Sequence, residues 1–153
     1  MGNWTRKAAA TAAAAAALTS LGVAPATAAP APKHCVLNVG TGVQQCSSSR
    51  MALTASANGD VVQGTFFDGP DYTGNSLTIT GPELCKKDGW VNWQFDLGDD
   101  WKNKISSVQP WGNCWIWLYP EPNLGGDRDG PFKENTGNVG SFMDDRTQSI
   151  GFS

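Results

Sequence analysis

The feature that most constrains this chain is a spacing that occurs twice. Phe67-Asp68-Gly69-Pro70-Asp71-Tyr72-Thr73-Gly74 sets out an aromatic, four residues, a second aromatic, one residue and a glycine. Tyr119-Pro120-Glu121-Pro122-Asn123-Leu124-Gly125-Gly126 repeats that spacing, with Leu124 in the second aromatic position. A serine-bearing run follows each copy, Asn103-Lys104-Ile105-Ser106-Ser107-Val108 and Asp145-Arg146-Thr147-Gln148-Ser149-Ile150. Two aromatics five positions apart can cover a tightly folded hairpin, and the glycine permits a positive φ at its turn. A later serine can close that hairpin by bonding its free backbone groups. The copies lie about 50 residues apart at their starts and 42 at their ends. A duplicated four-strand unit is the simplest organisation.

The rest of the text agrees with an all-β chain. Short β-prone runs at 61–67, 76–80, 90–95, 105–109, 114–119 and 147–152, with weaker ones at 127–132 and 139–142, are broken by Gly, Asp, Asn and Pro. No window carries a sustained 3.6-residue apolar period. Eight short strands in so short a stretch predict an antiparallel sandwich or barrel.

The first 28 residues read differently. Arg6 and Lys7 precede an alanine-dominated apolar run at 8–23, and Ala26-Thr27-Ala28 fits an A-x-A cleavage pattern. This is the layout of a secretory signal peptide, with Pro25, Pro30 and Pro32 ending any helix there. No later run reaches the length of a membrane span, so the expectation is a released, extracellular protein. Cleavage after Ala28 would remove Arg6 and Lys7 and keep all fourteen acids, taking the net charge from −3 to −5. Export places the four cysteines in an oxidising compartment. Cys35 and Cys46 flank two β-prone runs around Gly40-Thr41-Gly42, which predicts a hairpin that brings them opposite each other. Cys85 is then left to Cys114. A four-cysteine metal site is the competing reading, but no C-x-x-C spacing supports it. The expected organisation is a signal peptide at 1–28, a disulfide-closed hairpin and connector at 29–60, and a β domain at 61–153.

Charge and composition exclude several functions. An acidic chain without a basic cluster is a poor nucleic-acid ligand. His34 is the single histidine, and neither a nucleophile elbow, H-E-x-x-H nor a P-loop occurs. His34 is expected to be a solvated neighbour of the hairpin disulfide. Asp99 with Asp100, or Asp127 with Asp129, could serve a glycosidase only in name, since such pairs are more often loop charge. A non-enzyme is expected.

The duplicated pattern resembles the βγ-crystallin Greek-key motif, over roughly 61–153. The resemblance implies a two-motif sandwich with the disulfide hairpin ahead of it. A secreted domain of this type with two disulfides also resembles the crystallin-fold metalloproteinase inhibitors and killer-toxin-like proteins of filamentous soil bacteria. Microbial members of the family often bind calcium through two Asn/Asp, two spacers, Ser/Thr and Ser, so the resemblance implies two candidate sites. Lys102-Asn103-Lys104-Ile105-Ser106-Ser107 departs from the signature at Lys102, and Asp144-Asp145-Arg146-Thr147-Gln148-Ser149 departs at Gln148. The better site would join Asp144, Asp145 and Gln148 to the Asp68 region, and the poorer would join Asn103 and Ser106 to the Glu121 region. One usable calcium site is expected ahead of two.

Three roles follow. The favoured one is proteinase inhibition by a rigid loop over 81–89 holding Cys85, Lys86 and Lys87, because disulfide anchoring lowers the ordering cost of binding. The alternative is a calcium-binding structural or toxin-like module. The second alternative is a carbohydrate-binding module using Trp115 and Trp117, two apart on one strand face, or the pairs Trp90–Trp93 and Trp101–Trp111. Packing in a small core is the favoured use of these tryptophans. The expected partner is a secreted protease, with no nucleic acid and no membrane, and the chain is expected to be a monomer.

Overall fold

The computed structural model describes residues 31, 33–49 and 60–153; the expected signal peptide and connector residues 50–59 lie outside the described residues. The described residues form nine strands: β1 (His34–Asn38), β2 (Gln44–Ser47), β3 (Val61–Phe67), β4 (Ser76–Gly81), β5 (Trp93–Asp96), β6 (Ser107–Pro110), β7 (Ile116–Tyr119), β8 (Asp129–Phe132) and β9 (Ser149–Phe152). Among the described residues the one helical element is a 3₁₀ turn at Pro70–Tyr72.

The strands form two sheets, ordered β2-β1-β4-β3-β6 and β5-β9-β7-β8. The first motif comprises β3, β4, β5 and β6. The second comprises β7, β8, a bridge at Thr136 and β9. Each motif sends its third strand to the other's sheet: β5 pairs with β9, and Thr136 bridges to Val108 on β6. This exchange makes the duplicated unit a two-motif Greek-key sandwich.

Strand alternation then fixes the core. Phe66, Leu77, Ile79 and Val108 face Ile116, Leu118, Ile150 and Phe152, and all eight are at most 2% exposed. Trp93 stacks on Phe152 at 4.0 Å, and Phe66 meets the same ring edge-on at 6.3 Å. Burying each such side chain stabilises the fold by roughly 1.5–3 kcal/mol.

The hairpin is closed by Cys35–Cys46, which stand directly opposite, and Cys85 is bonded to Cys114. The hairpin does not stand apart from the sandwich: β1 pairs in parallel with β4, and Leu37 is buried in the common core. His34 is accordingly buried, with Nδ1 2.8 Å from Ser76 Oγ, and is not the solvated side chain expected. Two other expectations shift. β5 begins at Trp93 rather than 90, because Asp88 accepts hydrogen bonds from the Trp90 amide and the Asn92 side chain ahead of it. The weak run at 139–142 is no strand; Gly140 (φ +84) starts a turn whose carbonyl accepts from Met143 and Asp144.

Candidate functional site

The two motifs are related residue by residue at their hairpins. Phe67 and Tyr72 meet edge-on at 5.7 Å, the contact the repeated spacing predicts. Ser107 Oγ donates to the Gly69 carbonyl (2.7 Å) and accepts from the Tyr72 amide (3.1 Å). Ser149 Oγ donates to the Glu121 carbonyl (2.6 Å) and accepts from the Leu124 amide (3.0 Å). The residues ahead of each serine interlock: Asn103 N donates to Thr147 O at 2.8 Å, and Asp145 N donates to Ile105 O at 3.2 Å. Asn103 (φ 57) and Asp145 (φ 54) share the same left-handed backbone, which Asn and Asp tolerate better than most residues.

A cleft lies against each hairpin. The first is lined by Lys33, Asp68, Asn75, Asp100, Trp101 and Lys104. The second is lined by Asn103, Glu121, Asp127, Phe142, Arg146 and Gln148. These groupings differ from the expected calcium sites. Gln148 lies with Glu121 and Asn103, not with Asp68. Ser106 Oγ is 3.4 Å from the Asp68 carbonyl, so it stays within its own motif. The Asp68 carboxylate accepts from the Asn75 amide (2.7 Å) and side chain (2.5 Å), closing its own hairpin. Asp145 is exposed, and Asp144 is half-buried with one sealed oxygen lacking a partner. Among the described residues no group of three or more His, Cys, Asp or Glu is arranged to hold a metal ion.

Each cleft also holds a basic side chain that sequence reasoning passed over as a spacer. Lys104 Nζ donates to the Asp100 carbonyl at 2.7 Å, and Arg146 Nη1 donates to the Phe142 carbonyl at 2.9 Å. Lys102, expected to be the obstacle, instead forms an exposed pair with Asp99 at 3.3 Å. Calcium needs six to eight oxygens. A few carboxylates and amides beside a fixed ammonium or guanidinium do not fit that requirement.

The motifs differ sharply elsewhere. Ser107 and Ser149 are 42 positions apart, whereas the carbonyls they bind, Gly69 and Glu121, are 52 apart. The first motif is therefore ten residues longer, and most of the excess falls between β4 and β5, at 82–92. The corresponding link in the second motif runs only from β8, ending at Phe132, to the bridge at Thr136. The drop in repeat spacing from about 50 to 42 held this signal in the sequence.

Loop 82–92 is anchored along its length. Gln63 Nε2 donates to Glu83 O (2.8 Å), Cys85 N to Gly112 O (2.9 Å), Asn113 Nδ2 to Cys85 O (3.1 Å) and Gly89 N to Ser153 Oγ (2.8 Å). The Cys85–Cys114 bond ties it to the foot of β7. The Trp90 amide holds the Asp88 carboxyl below its ordinary value, against a smaller opposing effect of desolvation, with Asn92, Ser153 and Lys86 adding to the lowering. Lys86 and Lys87 are exposed, and so are Leu84 (61%) and Trp90 (77%). The structure thus places Cys85 as an anchor and the two lysines on the outer surface.

The tryptophans divide among core, cover and surface. Trp101 is in the core and Trp93 packs against it. Trp117 on β7 and Trp115 just ahead of it carry Arg128 and Lys133 3.8 Å over their rings. A sugar-stacking platform needs an open ring face, and these two are roofed. Core packing therefore accounts for only part of the tryptophan content.

No family model matches the sequence, and no curated protein matches it. Structural neighbours include βγ-crystallin domains. One from Clostridium beijerinckii has 17% identity and a TM-score of 0.47, covering 59% of this chain and 95% of its own. One from Flavobacterium johnsoniae has 19% identity and a TM-score of 0.45, covering 59% and 92%. The N-terminal domain of protein S has 19% identity and a TM-score of 0.46, covering 60% and 94%.

Proposed function

We propose that this is a secreted, non-enzymatic Greek-key module that inhibits a proteinase, a metalloproteinase first, through the loop at 82–92. The observation that carries the reading is the asymmetry of the two motifs. A duplicated unit needs no ten-residue addition to fold, and this one is tied down at both ends while turning Leu84, Lys86, Lys87 and Trp90 outward. Pre-ordering of that kind reduces the entropy lost when a loop enters a cleft. The two disulfides fit an oxidising compartment, and no helix among the described residues is long and apolar enough to cross a membrane.

The calcium and carbohydrate readings draw less support, because basic side chains line both clefts and cover the paired tryptophans. The test is a stoichiometric titration of the full-length protein into a zinc endopeptidase, a subtilisin-like and a trypsin-like serine proteinase. Progressive loss of activity in at least one, the zinc enzyme first, is expected. Full activity in all three at excess protein would sink the inhibitor reading.

A further inference from the structure

We infer that the two clefts carry their own positive charge, Lys104 and Arg146 supplying what a divalent ion would otherwise bring, so that the fold is indifferent to calcium. Lys104 and Arg146 are 42 positions apart, the same interval that separates Ser107 from Ser149, and so occupy equivalent places. Each reaches back four residues to a turn carbonyl, Asp100 at 2.7 Å and Phe142 at 2.9 Å. Each lines its cleft beside carboxylates, Asp68 and Asp100 in one, Glu121 and Asp127 in the other. One such contact would be incidental; its repetition across the internal symmetry makes it part of the motif.

The physical consequence is direct. A turn carbonyl that accepts from a cation has one lone pair fewer to offer a metal, and a positive charge held in the same cleft repels a second one. The first cleft carries Lys33 as well, so it is the more firmly closed. The second holds one basic group, Arg146, among the oxygens of Asn103, Glu121, Asp127 and Gln148. Removing that charge is therefore expected to expose a latent cation site there, and only there.

The experiment is terbium luminescence and thermal unfolding, in calcium and in chelator, on the full-length protein, Arg146→Gln and Arg146→Lys. The glutamine removes the charge, and the turn keeps its backbone bonds from the Met143 and Asp144 amides to Gly140 O and from the Arg146 amide to Met143 O. The unmodified protein is expected to give no saturable terbium signal and the same unfolding midpoint within about 1 °C in calcium and chelator. Arg146→Gln is expected to gain saturable binding and a calcium-dependent rise in midpoint, by mass action on the folded state. Arg146→Lys should behave like the parent. Saturable binding by the unmodified protein would overturn the inference, whatever the variants do. Silence in a folded Arg146→Gln would overturn the assignment of Arg146 as the stand-in.

Discussion

The two Greek-key motifs share their closure and differ in their cargo. At the hairpins they match atom for atom: each serine takes one carbonyl and one amide, and each preceding loop gives one amide to the other motif. Between the second and third strands they part, with eleven residues at 82–92 against a link of three between β8 and Thr136. Matching regions report what the fold requires. The unmatched region has no such requirement behind it, and it carries a disulfide, an acid-centred hydrogen-bond cluster and four outward side chains.

The largest expected effect comes from cutting the unmatched region loose. Cys85→Ser with Cys114→Ser should lower stability by about 3 kcal/mol, as loss of a disulfide closing a loop of this size does, read by chemical denaturation. Inhibition should weaken with it. Next come the matched serines. Ser107→Ala and Ser149→Ala should each cost about 1–3 kcal/mol, because each removes a buried hydroxyl that makes two hydrogen bonds to its hairpin, one given and one accepted. The comparison predicts equal losses, and a large inequality in denaturant midpoints would break it.

Trp90→Ala should leave stability within about 0.5 kcal/mol, as exposed positions do, and reduce proteinase binding by about tenfold or more if the loop is the contact surface. The smallest effect concerns Asp88. Its folded-state carboxyl lies below the ordinary 3.8, so its hold on the Trp90 amide is complete above that value and is lost as pH falls through the lower folded one. Amide exchange at Trp90, corrected for intrinsic rate, should stay slow at neutral pH and quicken only below about pH 4. Asp88→Asn should weaken this dependence.

Much of this architecture was legible because it is local. The hairpin spacing foretold the Phe67–Tyr72 contact, the Gly40-Thr41-Gly42 turn foretold the opposition of Cys35 and Cys46, and the repeat foretold two motifs. What was not legible depends on tertiary pairing. Period-two alternation cannot say that β5 crosses to the other sheet, and nothing in the hairpin's text says that β1 lies parallel to β4 and buries His34. The candidate site was half-visible for the same reason. Asp68, Asn103, Ser106 and Gln148 were picked out by type, but the pairing of first and last strands within each motif decides which of them meet: Tyr119 opposite Ser149 puts Gln148 with Glu121, and Phe67 opposite Ser107 puts Ser106 with Asp68. Lys104 and Arg146 were unremarkable as text, since only the folded turn brings them back onto carbonyls four residues earlier.

The most direct test of the account sets its two regions against each other in one binding assay. Dissociation constants for the inhibited proteinase would be measured for the parent, for Leu84→Ala/Lys86→Ala/Lys87→Ala/Trp90→Ala, and for Phe142→Ala, an exposed aromatic at the second cleft. A loss of about 100-fold or more is expected for the loop variant, the scale of combined interface anchors, and a change within about twofold for Phe142→Ala, as for a residue outside the interface. Undiminished binding by a folded loop variant, or a large loss on Phe142→Ala alone, would contradict it and move the working surface from the insertion to the cleft.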